Sequence, residues 1–290
     1  MPEVSGALLE LIRLTATSLP PDVEAALQDA AGQEEPGSAA HATLETILKN
    51  VGLAREFSTP ICQDTGTPAF YVRHPSGWFP KSLRAQINTA LDEATRLSYL
   101  RPNAVNALTG VNSGGNSGDE YFPAIHFEEG EDDALVVDLV LKGGGCENVG
   151  AQYKLPDAGL NAGRDLEGVR KVVLDAVCQA QGRGCAPGVL GVAIGGDRGS
   201  GYLASKQVFL RKLGDTHPDP QLAELEARIT REANTLGIGP MGFGGKTTVL
   251  ATKIRALYRL PASFFVTVSY MCWAFRRRRM VLRGDLIWYE

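Results

Sequence analysis

The sequence lacks any apolar run long enough to cross a bilayer. The longest, Phe264 to Phe275, is interrupted by Thr267 and Ser269 and falls well short of the ~20 residues that a spanning helix needs. The N-terminal stretch from Met1 to Pro20 has neither a basic leading segment nor a small-residue cleavage site, so it reads as an amphipathic helix and not as a signal peptide. These absences predict a cytoplasmic protein with no membrane partner. A basic excess is missing too. There are 29 Lys and Arg against 33 Asp and Glu, a formal net charge of -4, which argues against a nucleic-acid partner. An anionic substrate remains open, because a local group of cations can sit inside an acidic protein. Cysteine is scarce, with five residues and no CxxC pair. An odd count in a reducing compartment argues against a disulfide framework, and the missing close pairs remove zinc ribbons and thioredoxin-like motifs. Internal repeats and low-complexity linkers are also absent.

The 290 residues are 44 % apolar and 21 % charged, ordinary for a globular protein and enough for one large domain or two modest ones. Apolar residues recur at Leu8, Leu11 and Ile12, and again at Leu44, Ile47, Leu48 and Val51, the spacing of helix faces. An extended piece is expected at 68–73. A helix follows at 81–100, ending before Pro102, since the residue ahead of proline disfavours helix. Strands are expected at 121–127, 134–141, 189–194 and 264–270, and helices at 166–181, 202–213 and 221–236. Mixed elements predict an α/β (mixed α+β) fold: a helical N-terminal part, about residues 1–100, packed on a mixed sheet with Gly-rich loops at strand ends.

Glycine is plentiful, at 33 residues, and clustered. Gly143, Gly144 and Gly145 follow one expected strand, Gly195 and Gly196 another, and Gly242, Gly244 and Gly245 precede Lys246. Such turns either simply reverse the chain or expose N–H groups that cradle an anion. Gly237, Gly239 and Gly242 match GxGxxG, but a helix precedes them and no strand–turn–helix surrounds them, so the dinucleotide reading fails. Gly245-Lys246-Thr247 ends like a P-loop, yet Pro240 stands where the first glycine belongs.

Three cysteines fall at expected element boundaries: Cys62 in the polar loop Thr59 to Thr67, Cys185 in Gly182 to Gly188, and Cys272 at the end of a strand. Boundaries are where a scaffold presents function. On residues alone, these cysteines either converge on a metal or are inert. Cys178 reads as a core residue of its helix, and the run Arg276 to Arg279 as a solvated or subunit-facing segment.

Four ordered motifs then carry a resemblance: Cys-Gln-Asp-Thr-Gly-Thr at 62–67, Lys-Gly-Gly-Gly-x-Glu-Asn at 142–148, the Gly-Cys-Ala-Pro loop leading to Gly-Val-Ala-Ile-Gly-Gly at 184–196, and Gly-Phe-Gly-Gly-Lys at 242–246. Together they resemble the class I, iron–sulfur-dependent fumarate hydratases. The similarity is to the α subunit, or N-terminal half, that those enzymes share with the L-tartrate dehydratases, and it runs from about residue 5 to 280. It implies one hydro-lyase α-type catalytic domain over 1–290. It further implies a [4Fe–4S] cluster on Cys62, Cys185 and Cys272, with one iron left without a protein ligand to act as a Lewis acid. Asp64 then assists proton transfer at the neighbouring carbon. Gln63 hydrogen-bonds the substrate, Arg101 grips a carboxylate with its planar fork, and the backbone of Gly143, Gly144 and Gly145 donates N–H groups. Turn capping by Asp64 and a helix-terminus role for Arg101 are the plain alternatives.

The implied reaction is reversible hydration of fumarate to L-malate, a step of the tricarboxylic acid cycle. L-tartrate dehydration, or hydration of another C4 or C5 dicarboxylate, is the alternative, and a non-catalytic iron–sulfur or interaction subunit is the alternative of a different class. Family members often carry a histidine shortly before the last cysteine. Here that region reads Arg259-Leu260-Pro261-Ala262-Ser263, and the four histidines, His41, His74, His126 and His217, lie elsewhere in the sequence. The resemblance also implies a β-type subunit as partner, in a dimer of αβ pairs or a homodimer.

Overall fold

The computed structural model describes residues 2–290. Its elements run α1 (Ser5–Thr17), α2 (Pro21–Gln33), α3 (Ala39–Phe57), β1 (Thr67–His74), α4 (Pro80–Arg96), β2 (Ala124–Glu129), β3 (Leu135–Lys142), α5 (Gly144–Asn148), β4 (Ala151–Lys154), α6 (Leu166–Ala180), β5 (Gly188–Ile194), α7 (Arg198–Gln207), α8 (Pro220–Asn234), β6 (Val249–Ala256), β7 (Phe265–Met271), β8 (Arg276–Arg283) and β9 (Leu286–Tyr289). Short 3-10 turns lie at Gln181–Gly184, Val208–Leu210 and Pro240–Gly242. Helices with two mixed sheets give the expected α/β class. No described helix is long and apolar enough to cross a membrane.

The chain forms two compact units. One holds the chain up to Pro20, Lys49–Gly144 and Ala274–Glu290; the other holds Pro21–Leu48 and Gly145–Trp273. The first is built on a five-stranded sheet in the order β2-β1-β3-β8-β9, with β1 and β2 parallel and the other pairs antiparallel. Central β3 is buried along its whole length. Leu135, Val137, Leu139 and Leu141 point to one face, where they pack with Leu8, Leu11 and Ile12 of α1 and Ile87 and Leu91 of α4. Truncating one of these leucines to alanine costs about 2–5 kcal/mol. The period-2 pattern of β3 and the 3.6-residue period of α1 and α4 bury complementary faces, which is why this layer forms.

The second unit has the sheet order β4-β7-β5-β6, parallel only between β5 and β6. Three of its helices start on side-chain caps that the sequence supplies. Asp165 accepts from the Gly168 N–H at 2.7 Å. Asp197 accepts from the Gly199 and Ser200 N–H groups, and the Ser200 hydroxyl accepts from the Asp197 N–H at 2.9 Å, a capping box. Asp219 caps α8 ahead of Pro220. The Asp197 box starts α7 at Arg198, four residues before the expected helix start. The same helix tightens into a 3-10 turn at 208–210 and does not continue to 213.

Two expectations need correction. Cys178 is exposed, not core. α6 buries Val169, Val172, Val173, Ala176 and Val177, and Cys178 falls on the opposite side of that stripe. The arginine run is not a solvated segment but the start of β8, in which Arg276 and Arg277 are buried. Charge disguised this strand, because its guanidinium stems cover apolar surface as hydrocarbon would.

Candidate functional site

Cys62 follows a firmly anchored residue. Ile61 is buried; its N–H donates to the Ala16 carbonyl at 3.0 Å, and its own carbonyl accepts from the Asn50 amide at 2.8 Å. Beyond it Cys62 is half-buried, Gln63 and Asp64 are exposed, and Thr65 is buried. Gly66 closes the loop at φ +82°, and a Cβ there would lie 2.8–2.9 Å from the Lys142 backbone. Only glycine combines that left-handed angle with so close an approach.

Asp64 ties two motifs together. Its Oδ1 accepts from the Gly66 N–H at 3.0 Å, an Asx-type turn, and its Oδ2 accepts from the Gly144 N–H at 2.6 Å. The capping role is therefore present, and it extends across 80 residues of sequence to the Gly143-Gly144 turn. One of the expected N–H donors, that of Gly144, is engaged by Asp64. Gly145 belongs to the second unit, where it approaches the Arg183 carbonyl.

Arg101 meets the same loop from its other side. Its backbone N–H donates to the Thr65 hydroxyl at 3.0 Å, and its exposed guanidinium reaches the Gln63 carbonyl at 3.5 Å. Asn103 donates to Thr65 Oγ1 and to the Gly66 carbonyl. Asn116, fully buried, donates to the Arg101 carbonyl at 2.8 Å and to Thr95 Oγ1 at 2.9 Å. Gln63, Asp64, Arg101, Gly143 and Gly144 thus gather within one unit. Sequence reasoning missed Thr65, Asn103 and Asn116, the residues that hold this gathering. Thr65 lay inside a quoted motif, but nothing marked the two asparagines.

In the second unit Cys185 sits at φ 57°, the left-handed region, directly after a 3-10 turn. A non-glycine residue holds that angle only when its surroundings fix it. Here the Cys185 N–H donates to the Gly182 carbonyl, its carbonyl accepts from the Trp273 N–H at 3.1 Å, and the Met241 N–H donates to the Ala186 carbonyl at 2.8 Å. The bond to Trp273 sets Cys185 beside Cys272, which is buried just past β7. Tyr270, 2 % exposed, lies near both. Its ring fills a slot that glycines leave open: a Cβ at Gly184 would come within 2.7 Å of it, and one at Gly188 within 2.3 Å. Burial first, then the nearby thiols of Cys272, Cys146 and Cys185, push the Tyr270 hydroxyl well above its ordinary range. Tyr270 was not picked out in the sequence, because a tyrosine inside an apolar run reads only as strand. Cys62 stands in the other unit, so its place among candidate ligands rests on its motif. Among the described residues no three His, Cys, Asp or Glu side chains come close enough to share one metal ion.

The family model described as Fumarate hydratase (Fumerase) matches residues 5–281. The chain belongs to that family. Among curated proteins this family member is 49 % identical, over 280 residues, to a Geobacillus stearothermophilus protein provisionally named a class I fumarate hydratase. The match takes in 96 % of the chain but spans only 54 % of that relative's length. The chain is 34 % identical over 280 residues to a Methanocaldococcus jannaschii protein provisionally named L(+)-tartrate dehydratase subunit alpha, covering 95 % of the chain and 96 % of the relative. It is 33 % identical over 277 residues to the L(+)-tartrate dehydratase subunit alpha of Escherichia coli K12, covering 94 % and 88 %.

Proposed function

We propose that this chain is the α subunit of an iron–sulfur hydro-lyase that reversibly hydrates fumarate to L-malate. The observation that carries the reading is the gathering of Gln63, Asp64, Arg101 and the Gly143-Gly144 turn at one loop, in a chain whose family match spans residues 5–281. Cys62, Cys185 and Cys272 would hold a [4Fe–4S] cluster. The donor chemistry fits: the Cys185 carbonyl accepts a hydrogen bond from the residue next to Cys272, and soft thiolates suit iron–sulfur ligation. Cluster thiolates bind different irons, so they need not converge on one atom as the ligands of a single ion must. When bound, such a cluster supplies a Lewis-acid iron free of protein thiolate.

The chain's own side chains do the rest. Arg101 presents a planar fork to a substrate carboxylate, and Gln63 supplies a side-chain amide beside it. Hydration adds a hydroxyl to one carbon and a proton to its neighbour, and Asp64 would carry that proton. Two N–H donors fix the orientation of its carboxylate, so it enters the reaction already aimed.

A β-type subunit would complete the site, in a dimer of αβ pairs or a homodimer located in the cytoplasm. The naming of two relatives as subunit alpha of an L(+)-tartrate dehydratase supports a β-type partner. The same observation favours L-tartrate dehydration as the second reading. To test both, the chain is loaded with iron and sulfide without oxygen and assayed with fumarate, L-malate and L-tartrate, with and without a β-type partner. Turnover of fumarate and malate only in the complex is expected. Tartrate turnover alone replaces the substrate, substantial activity of the isolated chain overturns the need for a partner, and no turnover of any dicarboxylate leaves a non-catalytic subunit.

A further inference from the structure

β8 opens with four consecutive arginines, and strand alternation divides them between two faces. Arg276 stands opposite Leu141 and Arg278 opposite Leu139, so both share the face that packs against α1 and α4. Arg277 and Arg279 take the other face, where Arg279 pairs with Asp138 at 2.7 and 3.0 Å. No such partner meets the first pair. Arg276 is 1 % exposed, yet its Nε and Nη1 have no hydrogen-bond partner. The Nε of half-buried Arg278 is likewise unpartnered.

The surroundings of Arg278 add positive charge. Burial first, then Arg55 and Arg13, hold its guanidinium below the ordinary range, against Glu10 alone. Glu10 is itself taken by Arg13, whose Nε and Nη2 donate to it at 2.7 and 2.6 Å. A guanidinium stays charged at any physiological pH, and a buried charge without a counter-charge is strongly disfavoured. Two guanidiniums therefore share this face with open donors, and the carboxylate near Arg278, Glu10, is already paired with Arg13.

We propose that this face of β8 is a binding site for a small oxyanion, a phosphate or carboxylate group held by Arg276 and Arg278. Same-face neighbours on a strand lie about 7 Å apart, a span that two guanidinium forks bridge by gripping different oxygens of one anion. Arg276 is the more deeply buried of the two, and Arg13, with 30 % of its side chain exposed, lies near enough to act on Arg278. The proposal does not rest on the hydro-lyase reading.

The test is isothermal titration of the full-length chain with inorganic phosphate and, separately, with succinate, at constant ionic strength against a sodium chloride blank. Saturable binding of one anion per chain is expected. Phosphate binding without succinate binding identifies a phosphate site, and the converse a carboxylate site. Arg278→Gln should weaken the affinity at least about tenfold, as loss of a charge-assisted bond does, and Arg96→Ala, which removes an exposed guanidinium paired with Glu93 on α4, should leave it unchanged. Arg276→Met should abolish binding; where that variant does not fold, Arg278→Gln decides. No saturable heat with either anion, equal affinity in Arg278→Gln, or an equal loss of affinity in Arg96→Ala and Arg278→Gln would each overturn the site.

Discussion

Replacing Gly188 with alanine tests how the slot near the two cysteines is built. A Cβ at that position would lie 2.3 Å from Tyr270 Cζ, 2.4 Å from Cε1 and 2.5 Å from the hydroxyl oxygen. All are well inside van der Waals contact, and the atoms struck belong to a rigid ring. Tyr270 cannot swing away, because it is buried in β7 and paired in register with Leu190 of β5. The methyl must therefore push the two strands apart or force the ring off its rotamer. Overpacking of this kind costs about 1–3 kcal/mol or more. For a chain of this size each kcal/mol moves the melting temperature by about 2–4 °C, so a fall of about 2–12 °C is expected by calorimetry. The decisive measurement is the double variant Gly188→Ala/Tyr270→Leu. Removing the ring opens the space, so the two changes together should cost less than their sum by at least about 0.5 kcal/mol. A Gly188→Ala melting temperature equal to wild type, or strictly additive effects, would refute the packing argument.

Other outcomes follow from the same geometry. Under the proposed ligation, Cys62→Ser, Cys185→Ser and Cys272→Ser should each lose bound iron in anaerobic protein, whereas exposed Cys178→Ser should keep it; an essential Cys178 would reassign the ligands. Arg101→Ala should lower kcat/KM about 10–100-fold, the worth of a charged hydrogen bond, with little change in melting temperature, since its exposed guanidinium makes only the 3.5 Å contact to Gln63. Burial raises the Asp215 carboxyl, but Arg211 and Lys253 outweigh it and hold the net value below the usual aspartate range. A depressed carboxylate contributes stability above its unfolded pKa, about 3.9, and loses it as pH falls through the folded value. Acid melts should therefore steepen below about pH 4, and less so in Lys253→Met; identical acid slopes would remove Asp215 from the account.

The elements with one dominant signal were legible in sequence. β3 is apolar but for Asp138 and Lys142, β5 is an unbroken apolar run, α4 and α8 carry clean helical periods, and each was expected within a few residues of its place. β8 was not legible, since four arginines in a row match no apolar pattern; cross-strand pairing with β3 made them a strand. Cys178 was misplaced because a single residue on a helix cannot be assigned to a face until the packed stripe is known. At the candidate site, local sequence contained Gln63, Asp64 and the glycine turns as motifs, and the Asx turn of Asp64 needs only residues 64–66. The bond from Asp64 to Gly144, the seat of Arg101 on Thr65, and the setting of Cys185 beside Cys272 through Trp273 are all contacts between residues far apart in the chain. Periodicity and propensity act over one or two turns, so by itself the sequence determined the strongly patterned helices and strands, though not β8, and which residue types they carry. Pairings across such distances exist only once the sheets have closed and their loops are brought together, and that was decided by the tertiary structure alone.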